Sequence, residues 1–496
     1  MSESTYPSVK DLTLEEKASL TSGGDAWHLQ GVESKGIPGY MITDGPHGLR
    51  KSLASSAGET DLDASVPATC FPPAAGLSSS WNPELIRKVG EAMGEECIQE
   101  KVAVILGPGV NIKRNPLGGR CFEYWSEDPY LAGHEAIGIV EGVQSKGVGT
   151  SLKHFAANNQ ETDRLRISAN IGPRALREIY LPAFEHIVKT AQPWTVMCSY
   201  NRINGVYSAQ NRWLLTDVLR GEWGFEGIVM SDWGADHDRV ASLNAGLNLE
   251  MPPSYTDDEI VHAARDGRIA PAQLDAMAQG MIDLVNRTRA AMSVDDYRFD
   301  VDAHDEVAHQ AAVESIVMLK NDGAILPLDA DAASGQKIAV IGEFARTPRY
   351  QGGGSSHITP TRMTSFLDVL DERGIAAEFA PGFTLDLEPA DPALETQAVD
   401  AAKRADTVLM FLGLPEAAES EGFDRETLDI PAKQIALLDA VAAANDQVVV
   451  VLSNGSAVSV APWAGRAKGI LESWLLGQAG GPALADVIFG RTSPSG

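Results

Sequence analysis

The stretch GIVMSDWGA at residues 227–235 decides the fold. An apolar run, Ile228, Val229 and Met230, stops at Ser231 and delivers Asp232 beside Trp233. In a parallel α/β architecture, a carboxylate just past the C-terminal end of a buried strand stands where active sites form. The neighbouring indole offers a flat apolar face suited to a sugar ring or an aromatic group. Taken alone, Asp232 reads equally well as a helix N-cap. The rest of the chain has to separate the two.

Working outward, short β-rich runs alternate with helical patterns through the first 300 residues. Expected strands are YMITD (40–44), VAVILG (102–107), TSLKHF (150–155), TVMCSY (195–200), GIVMSD (227–232) and LNLEM (247–251). Stretches between them, such as 82–100 and 174–191, carry apolar residues at helical spacing. Near-continuous apolar strands alternating with helices predict a parallel sheet covered by helices, and the length suits a (β/α)8 TIM-like barrel over residues 1–292. Asp44, Lys153 with His154, Tyr200 with Asn201, and Asp232 all close strands. Four polar endings in series point to one catalytic mouth. The acidic segment 293–306 is the expected linker. A helix over about 305–320 and an NDG turn at 321–323 lead into a second α/β unit, 307–496. Its strands are KIAVIG (337–342), TVLMFLG (407–413), VVVVLSN (448–454) and GILESWL (469–475), in a doubly wound parallel sheet or a close relative.

Length and charge bound the function. At 496 residues, two domains are the natural expectation. Forty basic against 68 acidic residues give a net charge of -28. That field repels phosphate backbones and anionic membranes, so nucleic-acid and membrane partners are not expected. Four scattered cysteines with no CxxC pair fit a reducing cytoplasm rather than a disulfide framework or zinc site. The N-terminal 20 residues lack the apolar core of a secretory leader, and Thr13 with Glu16 reads as a capping box. No apolar run approaches the roughly 20 residues a membrane span needs. The expectation is a cytoplasmic protein acting on small molecules, with no metal and no cofactor. A homo-oligomer is compatible with the sequence.

Several segments together resemble glycoside hydrolase family 3, in particular its β-glucosidase branch. They are TDGPHGLR (43–50), GPGVNIKRNPLGGRCFEYWSEDP (107–129), LKHFAANNQE (152–161), VMCSYNRING (196–205), SDWGA (231–235), ESIVMLKNDGAILPL (314–328) and EGFDRETLDIP (421–431). The resemblance runs in order along nearly the whole chain. It implies a barrel followed by an α/β sandwich with the active site between them, and retaining hydrolysis of terminal β-linked sugars. Retention needs two carboxyl groups roughly 5 to 5.5 Å apart, one attacking C1 and one protonating the leaving oxygen. By resemblance Asp232 is the nucleophile.

The acid/base falls in the acidic run EAAESEGFDRE, whose bland reading is a solvated turn. The family pattern puts it on the glutamate before Gly-aromatic-Asp-Arg, here Glu421, with Glu419 as the reserve. Asp424 and Arg425 read as structural pairs fixing the loop. The resemblance also implies a sugar-binding set of Asp44, Arg120, Lys153, His154, Met197, Tyr200 and Trp233. Asp44 would accept from sugar hydroxyls, and Arg120, Lys153 and His154 would donate while favouring an ionised Asp232. Lys153 and Arg120 read alternatively as internal ion pairs, and His154 as a core histidine. Arg50, Glu123 and Glu161 are read as scaffold charges.

Within the family, an aspartate in the TDGPHG context favours a hexose such as glucose over xylose. The residues after Lys153–His154 do not match the histidine-acid pattern of the N-acetylglucosaminidase branch. The expected function is therefore an exo-acting β-glucosidase. A β-xylosidase or α-arabinosidase of the same family, or a catalytically impaired sugar-binding fragment, stays open. QGGGSSH (351–357) lacks a GxGxxG context, which favours a loop approaching the active site over a nucleotide site. Family members continue past FGRTSPSG (489–496) with a further strand and often a fibronectin-like domain. The expectation is an incomplete second domain with an unpaired sheet edge and lowered stability.

Overall fold

The computed structural model describes residues 6–54, 60–329 and 335–496. Residues 1–5 of the stretch read for a leader lie outside them. The chain divides into two compact units. The first takes residues up to Lys51, Pro83–Lys113 and Trp125–Phe299, and the second takes Ser52–Asn82, Arg114–Tyr124 and Asp300–Gly496. The excursions 52–82 and 114–124 are not anticipated by a linear boundary near residue 300.

In the first unit, strands β1 (Met41–Asp44), β2 (Val102–Leu106), β3 (Gly149–Phe155), β4 (Thr195–Cys198) and β5 (Ile228–Met230) form a parallel sheet in chain order. The run VAVIL is buried at every position, as a strand covered on both faces demands. Beyond β5 the expected strand 247–251 takes part only through bridges, Met230 to Leu249 and Glu250 to Ser22. Further bridges from Gly23 to Leu29 and from His28 to Met41 lead back to β1, so the sheet closes on itself. Five of the six strands named from the sequence are thus regular, and the sixth joins the closed sheet through bridges. Helices α1 (Pro83–Gln99), α2 (Pro129–Ser145), α3 (Pro182–Ala191) and α4 (Pro271–Met292) are the long ones of this unit. The helix expected over 174–191 is broken into short turns before Pro182, where proline can only open a new helix.

In the second unit, strands β6 (Val317–Asn321), β7 (Ile338–Ile341), β8 (Ala377–Ala380), β9 (Thr407–Gly413), β10 (Val448–Ser453) and β11 (Gly469–Glu472) form one sheet in the order β6-β11-β10-β9-β7-β8. All pairs are parallel except β6 with β11. TVLMFLG and VVVVLS lie wholly in the core with Leu437, Leu438 and Val441 from helix Ala432–Ala444. The helix expected over about 305–320 instead spans Val301–Ser315, because Asp300 caps its start by accepting from the amides of Asp302 and Ala303. Residues 317–321 are the antiparallel edge strand, held by pairing to 469–472 that no local pattern reveals.

Candidate active site

Each unit presents its own set of functional side chains. In the first, β5 ends at Met230 and the chain is fixed immediately afterwards. The Ser231 hydroxyl accepts from the Met251 amide at 2.8 Å and donates to the Met251 carbonyl at 3.0 Å. Asp232 follows, 7% exposed. Its Oδ1 accepts from the Trp233 amide at 2.8 Å, and its Oδ2 lies 3.7 Å from His154 Nε2. Such contacts suit a carboxylate held in one orientation. Its backbone carbonyl accepts from the Ala235 amide at 2.9 Å in a single turn that no helix continues. Trp233 donates its indole N–H to the Ala26 carbonyl at 3.0 Å, and its ring lies 5.2 Å from that of Trp27.

The other strand ends gather around the same edge of the sheet. Asp44 closes β1 between two cations, with Arg50 Nη1 3.2 Å from Oδ2 and Lys153 Nζ 4.0 Å from Oδ1. Lys153 and His154 lie on β3 and are almost wholly buried. The side-chain amide of Asn111 reads both backbone groups of His154, accepting from its N–H and donating to its carbonyl at 2.9 Å each. Met197 lies on β4 in register with Met230 and belongs to the apolar core. Tyr200 carries the Arg164 guanidinium 5.0 Å above its ring, and Arg164 pairs with Glu161 at 2.7 Å. The Cys198 thiol next to this group is pushed up from its ordinary value by burial, which keeps it neutral.

Arg120 and Glu421 belong to the second unit. Arg120 forks onto Glu123 through Nε at 2.7 Å and Nη2 at 2.9 Å, the geometry that makes arginine–carboxylate pairs strong. Its Nη1 stands 3.5 Å from Glu421 Oε1. Glu421 Oε2 accepts from both the amide and the hydroxyl of Ser355, at 2.8 and 2.6 Å. Asp424 accepts from the Gly119 amide at 3.1 Å, and the Arg425 guanidinium binds Ser456 and the Ala457 carbonyl, so both brace the loop as expected. The structure therefore brings Asp44, Lys153, His154, Met197, Tyr200, Asp232 and Trp233 onto one unit, and Arg120 beside Glu421 on the other.

Sequence reasoning missed Ser355, Asn111 and Ser231, and it gave Arg50 no partner. Ser355, Asn111 and Ser231 act through hydrogen bonds to residues 66, 43 and 20 positions away, which carry no local signature. Among the described residues there is no group of three or more His, Cys, Asp and Glu side chains able to hold a metal ion. No helix among them is long and apolar enough to cross a membrane.

Comparison with known proteins fits these features. The glycosyl hydrolase family 3 N terminal domain matches residues 55–284, and the glycosyl hydrolase family 3 C-terminal domain matches residues 316–496. A solved structure, a GH3 beta-glucosidase from Bifidobacterium adolescentis, superposes with a TM-score of 0.94 at 83% identity, covering 99% of this chain and 70% of that one. The chain belongs to glycoside hydrolase family 3. It is 88% identical over its whole length to an exo-alpha-(1->6)-L-arabinopyranosidase of Bifidobacterium breve, covering 66% of that protein. It is 49% identical to thermostable beta-glucosidase B of Acetivibrio thermocellus, covering 98% of this chain and 64% of the relative. The chain thus spans just under two thirds of the length of these two curated relatives.

Proposed function

We propose that this chain provides the machinery for retaining, exo-acting hydrolysis of a terminal pyranoside with an equatorial aglycone, and that α-L-arabinopyranosides are its preferred class. In its stable chair, α-L-arabinopyranose carries the aglycone equatorially, as a β-D-glucoside does, but it lacks the hydroxymethyl arm and turns its 4-hydroxyl axial. A pocket that tolerates both differences can take either sugar. The 88% identical relative, named for an arabinopyranoside, favours the arabinoside. The 83% identical solved structure, a beta-glucosidase, favours a β-glucoside, which is the second reading. This ordering departs from the preference for glucose drawn from Asp44.

The observation carrying the proposal is Asp232, a buried carboxylate at a strand end with one oxygen held by an N–H donor and the other beside His154. Asp232 attacks C1 to form a glycosyl ester. Glu421 gives its proton to the departing oxygen, then takes one from the water that hydrolyses the ester. Asp44, between Arg50 and Lys153, accepts from sugar hydroxyls, and the Trp233 face covers the apolar side of the ring. The chemistry needs neither metal nor cofactor. Four free, buried cysteines support a cytoplasmic setting.

The test is a panel of nitrophenyl glycosides, α-L-arabinopyranoside, β-D-glucoside and β-D-xyloside, run with wild type and Asp232→Ala. Turnover is expected on the arabinoside first and the glucoside second, with at least a roughly 10⁴-fold loss in the variant. Binding without turnover in wild type would instead mark a sugar-binding fragment. Full activity in Asp232→Ala would remove the nucleophile from this position.

A further inference from the structure

The glycine-rich loop QGGGSSH, residues 351–357, carries Ser355 to the Glu421 carboxyl. The Gln351 side chain staples the loop closed, accepting from the Ile358 amide and donating to the Ile358 carbonyl, each at 2.9 Å. Gly353 then pairs with Ser420 in a short parallel bridge, next to the residue that matters.

Side chains would not fit here. A Cβ on Gly352 would lie 2.2 Å from the Phe122 ring. At Gly354 the backbone has φ +91°, and a Cβ would fall 2.5 Å from Glu421 Cβ and 2.8 Å from its Oε2. Glycine is thus required for close approach at both positions, and for the left-handed conformation at the second. What the approach achieves is the delivery of Ser355, whose N–H and O–H both donate to Glu421 Oε2. The loop is anchored at its far end too, where His357 Nε2 stands 3.6 Å from Glu416.

We propose that Ser355, presented by the glycine-rich loop, is a positioning residue that fixes the Glu421 carboxyl, an inference resting on Glu421 being the proton donor. Two donors converging on Oε2 set the plane of the carboxyl group. The two donors favour the charge on Oε2 and the proton on the other oxygen, Oε1, from which it passes to the leaving oxygen. A carboxyl free to rotate would spend less time aimed at that oxygen, and misplacement of about 1 Å can cost two orders of magnitude.

The experiment measures kcat/KM on the unmodified chain for a series of aryl glycosides of the accepted sugar, from dinitrophenyl to unsubstituted phenyl. Ser355→Ala should lose roughly 10- to 100-fold on the phenyl glycoside while changing by less than about threefold on the dinitrophenyl one. Inhibition by the free sugar should stay unchanged, and Ser355→Thr, which keeps the hydroxyl, should restore most of the loss. Gly354→Ala should show the same leaving-group dependence. Equal loss on every substrate, or none, would overturn the positioning role.

Glu421→Ala serves as the control for the underlying assignment. It should show a steeper leaving-group dependence and partial rescue by azide. If that control behaves so while Ser355→Ala matches wild type, only the positioning role falls. If Glu421→Ala shows neither signature, the assignment and the inference fall together.

Discussion

Glu419 and Glu421 stand two residues apart on one loop, and their surroundings differ in kind. Glu419 is 0% exposed, accepts from the Gly455 amide at 2.8 Å and from the Ser456 hydroxyl, and faces Arg349 Nη1 at 3.6 Å. Arg349 is itself buried, and burial lowers its guanidinium from the ordinary value. The Glu421 side chain keeps 13% exposure, so a leaving group has a way to reach it. Glu419 is therefore a brace. Glu419→Gln removes the larger of the two counter-charges, Glu419 and Glu416, that act on a buried cation, and is expected to cost about 3 kcal/mol. Urea unfolding reads that loss, and activity measured well below the melting point should show no azide rescue. A variant as stable as wild type but rescued by azide would exchange the roles of the two glutamates. In the sequence the two were separable only by family position. Arg349, Gly455 and Ser456 lie far along the chain, and a run of five acidic side chains in one loop gives no hint of which is buried.

At the scale of elements, burial along a strand was legible and pairing was not. VAVIL and VVVVLS are apolar at nearly every position and lie in the core at every position. Val317–Asn321 and Ala377–Ala380 are half-exposed edge strands with mixed composition, and only their neighbours make them strands. Helix α2 hides a different feature. Glu135 is buried on it, its Oε2 has no hydrogen-bond partner among the described residues, and burial raises its carboxyl from 4.5 to about 7. The unfolded chain releases this proton near its ordinary value, whereas the folded chain keeps it until about pH 7. Between those values unfolding releases a proton, so stability falls as pH rises through the window and levels off above it. Glu135→Gln keeps the shape and removes the titration. Its stability relative to wild type should improve by about 1–3 kcal/mol between pH 5 and pH 8. Thermal unfolding at the two pH values measures this, and an identical difference at both would show that Glu135 titrates normally.

For the whole molecule, the net charge of -28 was legible from composition alone, whereas the assignment of segments to units was not. Residues 114–124 interrupt a stretch that otherwise belongs to the first unit. Contacts from Gly119 to Asp424 and from Leu117 to Arg425 hold them in the second, and these link positions some 300 apart in sequence. The charge has a consequence of its own, because 68 acidic residues against 40 basic ones leave a self-repelling surface. Salt acts on this in two opposing ways. It weakens exposed ion pairs such as Arg174–Glu178 and Lys403–Asp400, each worth about 0–1 kcal/mol. It also shortens the reach of the repulsion, from about 30 Å at 0.01 M to about 10 Å at 0.1 M. Exposed pairs are local and individually weak, but every unpaired carboxylate feels many others within about 30 Å, so screening the repulsion wins. Raising sodium chloride from about 0.01 M to 0.3 M should lift the melting temperature by roughly 2–6 °C, a gain on the order of 1–2 kcal/mol for domains of this size. Scanning calorimetry across that range decides it. A melting temperature that stays level or falls with salt would mean that the paired charges, rather than the excess ones, dominate the electrostatics of this fold.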